Sequence, residues 1–264
     1  MESSLAEVEF LALSANRVEV LRLLAERPRD RSELATETGA SQATLGRILA
    51  DFEERSWVER HESEYAATAT GRLVSRGFGD LLDVLATERE LRGVVEYLPD
   101  EELTFDLRHL SDATVTVPSG TRPDAPLQRL LDLEREGGEI RAFSHAFNER
   151  SLSLTAERAR DGDLSFRGVF SRGAIDALAS DDELRRTLRE LLDAEDASVR
   201  VYDGEVPLAG SIVDGVVNLL VRDEKGVLQA AIDTDDDVVR SWAEDSLDHY
   251  WRTATPLSVD DFAD

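Results

Sequence analysis

Four side chains between positions 41 and 47, Ser41, Gln42, Thr44 and Arg47, form the densest group able to read another molecule. A glutamine amide can pair with the edge of adenine, an arginine fork with guanine or a phosphate, and serine or threonine hydroxyls with phosphate oxygens. Arg60 and His61 add two groups near the same segment that suit a phosphate backbone. The partner this chemistry predicts is double-stranded DNA. A second, looser group is His145, Ser171, Arg172 and Tyr202, each at the end of a run that reads as a strand. Ligands of α/β sheets sit beyond the carboxyl ends of strands, where helix N-termini offer free N–H groups. His145 and Arg172 suit a carboxylate or phosphate, so a small anionic or polar metabolite is the ligand class expected there. Each residue has an ordinary alternative: Ser171 as a helix cap, Arg172 as a partner for surface acids, His145 as a loop residue.

Catalysis finds little support. Phospholipase-D chemistry needs the arrangement H-x-K-x4-D, to attack phosphorus and protonate the leaving oxygen. The single lysine, Lys225, has no histidine two residues before it. No Gly-rich phosphate loop, G-x-S-x-G elbow or H-E-x-x-H is present either. The chain lacks cysteine, which excludes disulfides and thiolate metal sites, and its four scattered histidines give little basis for a histidine-rich metal site. No enzyme activity, metal or cofactor is expected. The contrary reading, an α/β enzyme with a DNA-binding appendage, would depend on His145 or Arg172.

The groups at 41–47 need a helix to present them, and the local pattern supplies one. Val18, Leu21, Leu24 and Ala25 recur at helical spacing behind Asn16, a good N-cap residue, and stop near Pro28. Ser4 to Leu13 reads as an earlier helix. After the Pro28 turn a short helix is predicted from Ser32 to Thr38, ended by Gly39 in the left-handed region. Ser41 can then cap a third helix, whose stripe Leu45, Ile48, Leu49 and Phe52 faces inward. Gln42, Ala43, Gly46 and Arg47 lie on the opposite face. Two helices meeting through a short glycine-containing turn make the helix-turn-helix layout, in which the second helix enters the major groove. Trp57 to Arg60 and Tyr65 to Thr68 then read as two short strands around a polar tip.

The run SELATETGASQATLGRILADFEERSWVER followed by YAATATGR resembles the winged-helix domains of bacterial and archaeal transcription regulators. One position departs from that pattern: Ser56 stands where the family usually places glycine between recognition helix and wing, at a cost of roughly 1 kcal/mol. Winged helices also serve as protein-interaction modules, so an adaptor that docks a protein partner is the alternative. A further helix, which Thr70 is expected to cap, spaces Val74, Phe78, Leu81 and Leu85 by four, three and four, matching a two-heptad seam. The resemblance implies a homodimer with this helix as a usual place for the contact. The other reading of the stripe is packing on its own domain.

Beyond Phe105 short strands alternate with helices, which argues for an α/β layer with some parallel strands. Predicted strands are 113–118, 139–143, 164–170 and 197–202; predicted helices are 125–135, 149–160 and two within 172–194. Asp214-Gly215 and Lys225-Gly226 turns between apolar runs signal a β-meander, followed by a closing helix, Asp237 to Trp251. The segments DLRHLSDATVTVPSGTRPDAPLQRLLDL, RVYDGEVPLAGSIVDGVVNLLV and AAIDTDDDVVRSWAEDSLDHYW are similar to the sensor domain of an archaeal regulator family first associated with methanogenesis regulation and abundant in haloarchaea. That resemblance implies a winged helix joined to an effector-sensing domain, and it carries no ligand motif. The fold class is therefore α+β: an N-terminal winged helix-turn-helix (1–70), a linker and dimerisation helix (71–96), and a C-terminal mixed α/β sensor domain (97–264).

Charge sets the conditions under which DNA could be bound. The net charge is −26, from 56 acidic and 30 basic residues. Such a surface resembles those of proteins from salt-loving archaea. Residues 14–93 carry 12 basic and 15 acidic groups, against 18 and 38 in residues 94–264. The segment expected to meet DNA is thus nearly neutral. The Debye length falls to about 3 Å at 1 M salt, which screens long-range repulsion from phosphate. The apolar runs are too short to span a bilayer and the start MESSLAEVEF has no signal-peptide pattern, so a soluble cytoplasmic protein without a membrane partner is expected.

Overall fold

A computed structural model describes residues 2–99 and 101–262, which fall into two compact units, 1–85 and 86–264. The first contains α1 (Glu2–Ala12), α2 (Ala15–Glu26), β1 (Arg29–Asp30), α3 (Arg31–Thr38), α4 (Gln42–Glu54), β2 (Val58–His61) and β3 (Glu64–Ala67), and α5 (Ala69–Leu91) runs on into the second. The strands form a small antiparallel sheet in the order β1-β3-β2, with Arg60 opposite Tyr65 and Arg29 opposite Tyr65 on the other side. This is a winged helix.

Its core is the inward face of each helix. Leu21, Leu34, Leu45, Leu49 and Phe52 are almost wholly buried, and Trp57, Val58 and Tyr65 close the side under the wing. Phe10, Phe52 and Trp57 meet with ring centroids 5.9–6.1 Å apart, while the guanidiniums of Arg17 and Arg55 lie 4.0 and 3.8 Å from the Phe10 ring centre. The α4 terminus explains how Ser56 replaces the usual glycine. Ser56 has φ 58, its N–H bonds the carbonyl of Glu53 and the Trp57 N–H reaches that of Phe52, both at 2.9 Å. These paired bonds and the Phe52–Trp57 contact make a Schellman end. Because Thr68 and Thr70 hydroxyls donate to the Ser56 carbonyl and not to its side chain (2.7 and 2.9 Å), Ser56→Gly keeps every bond. It is expected to raise stability by roughly 0.5–1 kcal/mol, checked by denaturant melts.

Two capping expectations and one helix start are corrected. Ser14, not Asn16, precedes α2, and its side chain makes no capping bond. Thr68, not Thr70, caps α5: its hydroxyl accepts from Gly71 N at 3.0 Å, while the Thr70 hydroxyl turns to Ser56. Asp30 starts α3 with a capping box, accepting from Ser32 and Glu33 N–H groups while Glu33 accepts from Asp30 N, so the helix begins one residue before Ser32. In α5, Val74 and Phe78 pack on their own unit, whereas Leu81 and Leu85 are 41% and 53% exposed, so only the first half of the stripe is used internally.

The second unit is built on one eight-stranded sheet. Its elements are β4 (Thr114–Thr116), α6 (Ala125–Glu136), β5 (Glu139–Ser144), α7 (Glu149–Arg160), β6 (Ser165–Ser171), α8 (Arg172–Ala179), α9 (Asp182–Leu192), β7 (Ala197–Tyr202), β8 (Ala209–Val213), β9 (Val216–Arg222), β10 (Leu228–Thr234), α10 (Asp237–Thr253) and β11 (Thr255–Pro256). Strand order is β11-β7-β6-β5-β8-β9-β10-β4, with β5, β6 and β7 parallel and every other pairing antiparallel. Helical crossovers α7 and α8–α9 give the parallel part, and Asp214-Gly215, both at positive φ, gives the tight β8–β9 hairpin.

Alternation divides the sheet into two packed faces. Phe143, Ile212, Val217, Leu219 and Val221 point towards Trp242 and Leu247 of α10. Ile140, Phe166 and Phe170, with Ala209 and Leu220, point towards α6, α7, α8 and α9. Burial on both sides is why β8 and β9 read as near-continuous apolar runs. Among the described residues no helix is long and apolar enough to cross a membrane.

Candidate functional site

The first unit presents one face of α4. Gly39 ends α3 at φ 68, and two residues later the Ser41 hydroxyl caps α4 by accepting from Thr44 N at 3.1 Å. Ser41 and Thr44 hydroxyls lie 3.0 Å apart, so both belong to the helix start. Leu45, Ile48, Leu49 and Phe52 are buried, which leaves Gln42, Ala43, Arg47 and Ala50 exposed on the other side. Arg47 makes no hydrogen bond or ion pair among the described residues. Asp51 is drawn towards Arg17 of α2 at 3.5 Å, away from that face. Glu54 lies two turns beyond Arg47, roughly 10 Å along the helix axis.

Arg31 belongs to this face and was not apparent from the sequence. Its guanidinium donates to the Gln42 carbonyl (2.5 Å), and the Gln42 amide nitrogen donates to the Arg31 carbonyl (3.2 Å), tying α3 to the start of α4. Gly46 makes room for it: a Cβ there would lie 2.9 Å from Arg31 Nη2. The signal was a glycine on the outward face of a helix, which propensity alone disfavours. At the wing, Arg60 donates to the Glu62 carbonyl at 2.9 Å and its guanidinium sits 5.5 Å from the Tyr65 ring centre, while His61 lies 3.2 Å from Glu59. Glu59, Glu62 and Glu64 are all exposed beside them, so the wing tip is more acidic than basic.

In the second unit the four residues expected at a ligand site share one end of the parallel strands but do different things. Ser171 caps α8, accepting from Ala174 N at 3.3 Å and donating to the His145 carbonyl at 3.4 Å. Arg172 is exposed and paired with Asp203 at 2.5 Å. Tyr202 packs against Tyr250 on the α10 face, ring centres 5.1 Å apart. His145 follows β5 half-buried, with its Nδ1 buried and unpartnered.

A cavity of about 80 Å³ lies on the other face of the sheet, between β5, β6, β8 and β9 and the helices α6 and α7. Leu130, Leu152, Phe166, Phe170 and Leu220 contribute apolar walls, and Ser144 and Ala146, the neighbours of His145, line it too. Four of its lining residues carry a buried polar atom without a partner: Glu134 Oε2, Ser211 Oγ, Asn218 Oδ1 and Arg222 Nε. Burial pushes the Glu134 carboxyl up to about 7, only partly opposed by the Ser151 hydroxyl donating to Oε1 at 2.7 Å. Burial also lowers the Arg222 guanidinium, and lowers His145 with help from the positive charge of Arg222. The Asn218 amide is oriented by its neighbours: Nδ2 donates to Asp233, which Arg129 holds from the other side at 2.5 Å, so Oδ1 is left as a bare acceptor. Among the described residues no cluster of His, Asp and Glu is placed to hold a metal ion.

Residues 5–90 match the family described as HVO_A0261 N-terminal domain, and residues 123–253 match that described as methanogenesis regulatory protein FilR1, middle domain. No curated protein matches the chain. Among solved structures, TrmBL2, an archaeal chromatin protein described as showing a novel mode of DNA binding, is 13% identical over 97% of this chain and 100% of its own, with a TM-score of 0.44. Nuc from Salmonella typhimurium, a phospholipase D family member, is 10% identical over 55% of this chain and 99% of its own (TM-score 0.44), and NucT from Helicobacter pylori 12% identical over 55% and 98% (TM-score 0.43).

Proposed function

We propose that this chain, an archaeal regulator of the type that joins an HVO_A0261 N-terminal domain to a FilR1 middle domain, is a sequence-specific DNA-binding transcription regulator. The observation that carries the reading is the outward face of α4, where Gln42 and Arg47 stand exposed beside small residues on a helix held by its opposite stripe. Small residues let a helix approach base edges closely, and Gln and Arg are the side chains that read adenine and guanine there. Ser41, Thr44 and Arg31 take the nearby phosphates. Arg60 and His61 contact the backbone from the wing.

The regulator works as a homodimer in the cytoplasm of a salt-adapted cell, with no catalytic step and no cofactor. Exposed Leu81, Leu82 and Leu85 on α5 support a second copy docking along that helix, because apolar side chains at heptad spacing gain by mutual burial. The second unit senses a small-molecule effector, and binding shifts the spacing of the two recognition helices and so the affinity for DNA. One observation favours a second reading: the acidic wing tip suits a basic protein partner better than a phosphate backbone, as an adaptor would need.

Genome-wide occupancy of the tagged protein in its own cell, beside a Gln42→Ala/Arg47→Ala version, separates the two. Focused promoter peaks that vanish in the variant are expected. Peaks indifferent to both substitutions, or none, would move the assignment to the adaptor.

A further inference from the structure

The cavity beneath α6 and α7 has a polar pattern specific enough to name a ligand. Its Arg222 pairs with no carboxylate among the described residues, although the chain carries 56 acids. Nη1 of Arg222 is spent on the Gly226 carbonyl at 2.9 Å, while Nε is buried and unpartnered in a residue that lines the cavity. A buried guanidinium N–H calls for an acceptor, and a carboxylate meets it with two parallel bonds.

The other end of the pattern calls for a hydroxyl. Ser211 and Asn218 are opposite one another in the β8–β9 register, 7% and 1% exposed. Asn218 offers its unpartnered Oδ1 as an acceptor, while Nδ2 donates to Asp233, and Ser211 offers an O–H. A ligand hydroxyl that donates to Asn218 Oδ1 and accepts from Ser211 completes both. Between these ends the wall is apolar, with Leu220 standing between Asn218 and Arg222 on the same face of β9. About 80 Å³ holds roughly five to eight water-sized positions, at about 10–15 Å³ each.

We propose that this cavity binds a short-chain hydroxy acid, its carboxylate on Arg222 and its hydroxyl between Ser211 and Asn218. The proposal deepens the effector-sensing reading and rests on it only for the consequence of binding. Glu134, whose carboxyl burial pushes up to about 7, closes the remaining wall and carries less negative charge as pH falls below neutral. Ordered water is the competing occupant, because it can complete the same polar atoms without any selectivity.

Calorimetric titration of the full chain in molar KCl at pH 7 with 3-hydroxybutyrate, lactate and butyrate tests it. At least one hydroxy acid is expected to bind saturably, at least tenfold tighter than butyrate, because butyrate leaves Asn218 Oδ1 unpaired. Arg222→Gln is expected to weaken that binding at least tenfold, with Arg222→Lys between the two. No saturable binding up to about 10 mM, where the affinity would be worth under about 3 kcal/mol, would leave water as the occupant and overturn the proposal. Butyrate binding as well as its hydroxy analogue on the unaltered chain would overturn it too, whatever the variants do to folding. Promoter binding is measured separately on the same samples: its loss with acid binding intact would count against the regulator and not the cavity, and the reverse against the cavity alone.

Discussion

Replacing Gln42 and Arg47 together by alanine is expected to weaken operator binding by about 2–6 kcal/mol, from about 1–3 kcal/mol for each base contact removed. The effect should fall on binding and not on folding. Both side chains are exposed, Arg47 has no partner among the described residues, Gln42 gives up one exposed bond to the Arg31 carbonyl, and the helix is held from the opposite face by Leu45, Leu49 and Phe52. Surface changes of this kind usually move stability by less than about 0.5 kcal/mol. The two residues should also differ in kind. If Arg47 reads guanine, Arg47→Ala removes discrimination between operator and unrelated DNA; if it holds a phosphate, both affinities fall alike and the salt slope drops by about one. Anisotropy titrations against both duplexes in molar salt distinguish these outcomes, and an unchanged operator affinity in the double variant would remove α4 from the interface.

Much of this face could be read from the chain because the relevant signals are local. The stripe of α4, the left-handed Gly39 and the positive φ of Ser56 all depend on residues within one or two turns of each other. The spans of α7 and β7 coincide with those predicted, since Asn148 caps the first and apolar alternation marks the second. The caps failed where two candidates stood side by side. Thr68 and Thr70 carry the same hydroxyl, and the choice between them is made by Ser56, fourteen residues before Thr70, whose carbonyl draws the Thr70 side chain away. The two-residue strands β1 and β11 escaped for a similar reason, being defined by their partners and not by their own sequence.

The cavity was illegible for a different reason. Rules about strand ends direct attention to His145, Ser171, Arg172 and Tyr202, but these turn to three different environments once the helices are in place. The groups that converge, Glu134, Ser211, Asn218 and Arg222, come from one helix and two strands and have no common spacing. One clue was present: asparagine in the middle of the run VVNLLV, and serine in AGSIV, are polar groups in strands otherwise buried on both faces. Buried polar groups need partners, so each asks what it meets.

Glu134→Gln is expected to stabilise the protein by about 3 kcal/mol above neutral pH and to change little in acid. The carboxyl, 5% exposed, is raised by burial from 4.5 to about 7 in the folded chain. Between those values the unfolded chain gives up this proton and the folded chain keeps it, so folding is progressively penalised as pH rises. The contribution is whole below pH 4.5 and lost as pH passes 7, a difference of about 2.5 units at about 1.4 kcal/mol each. Glutamine keeps the bond from Ser151 and cannot ionise, so it removes the slope and not the contact. Denaturant melts of both forms at pH 5 and pH 8 in equal salt measure the difference. The result also bears on the ligand. A gap that opens with pH means the cavity is dry enough to keep an acid protonated, which suits an anionic guest held by Arg222. A gap independent of pH means Glu134 is already ionised in the fold, and a wall carrying that charge would favour a cationic guest instead.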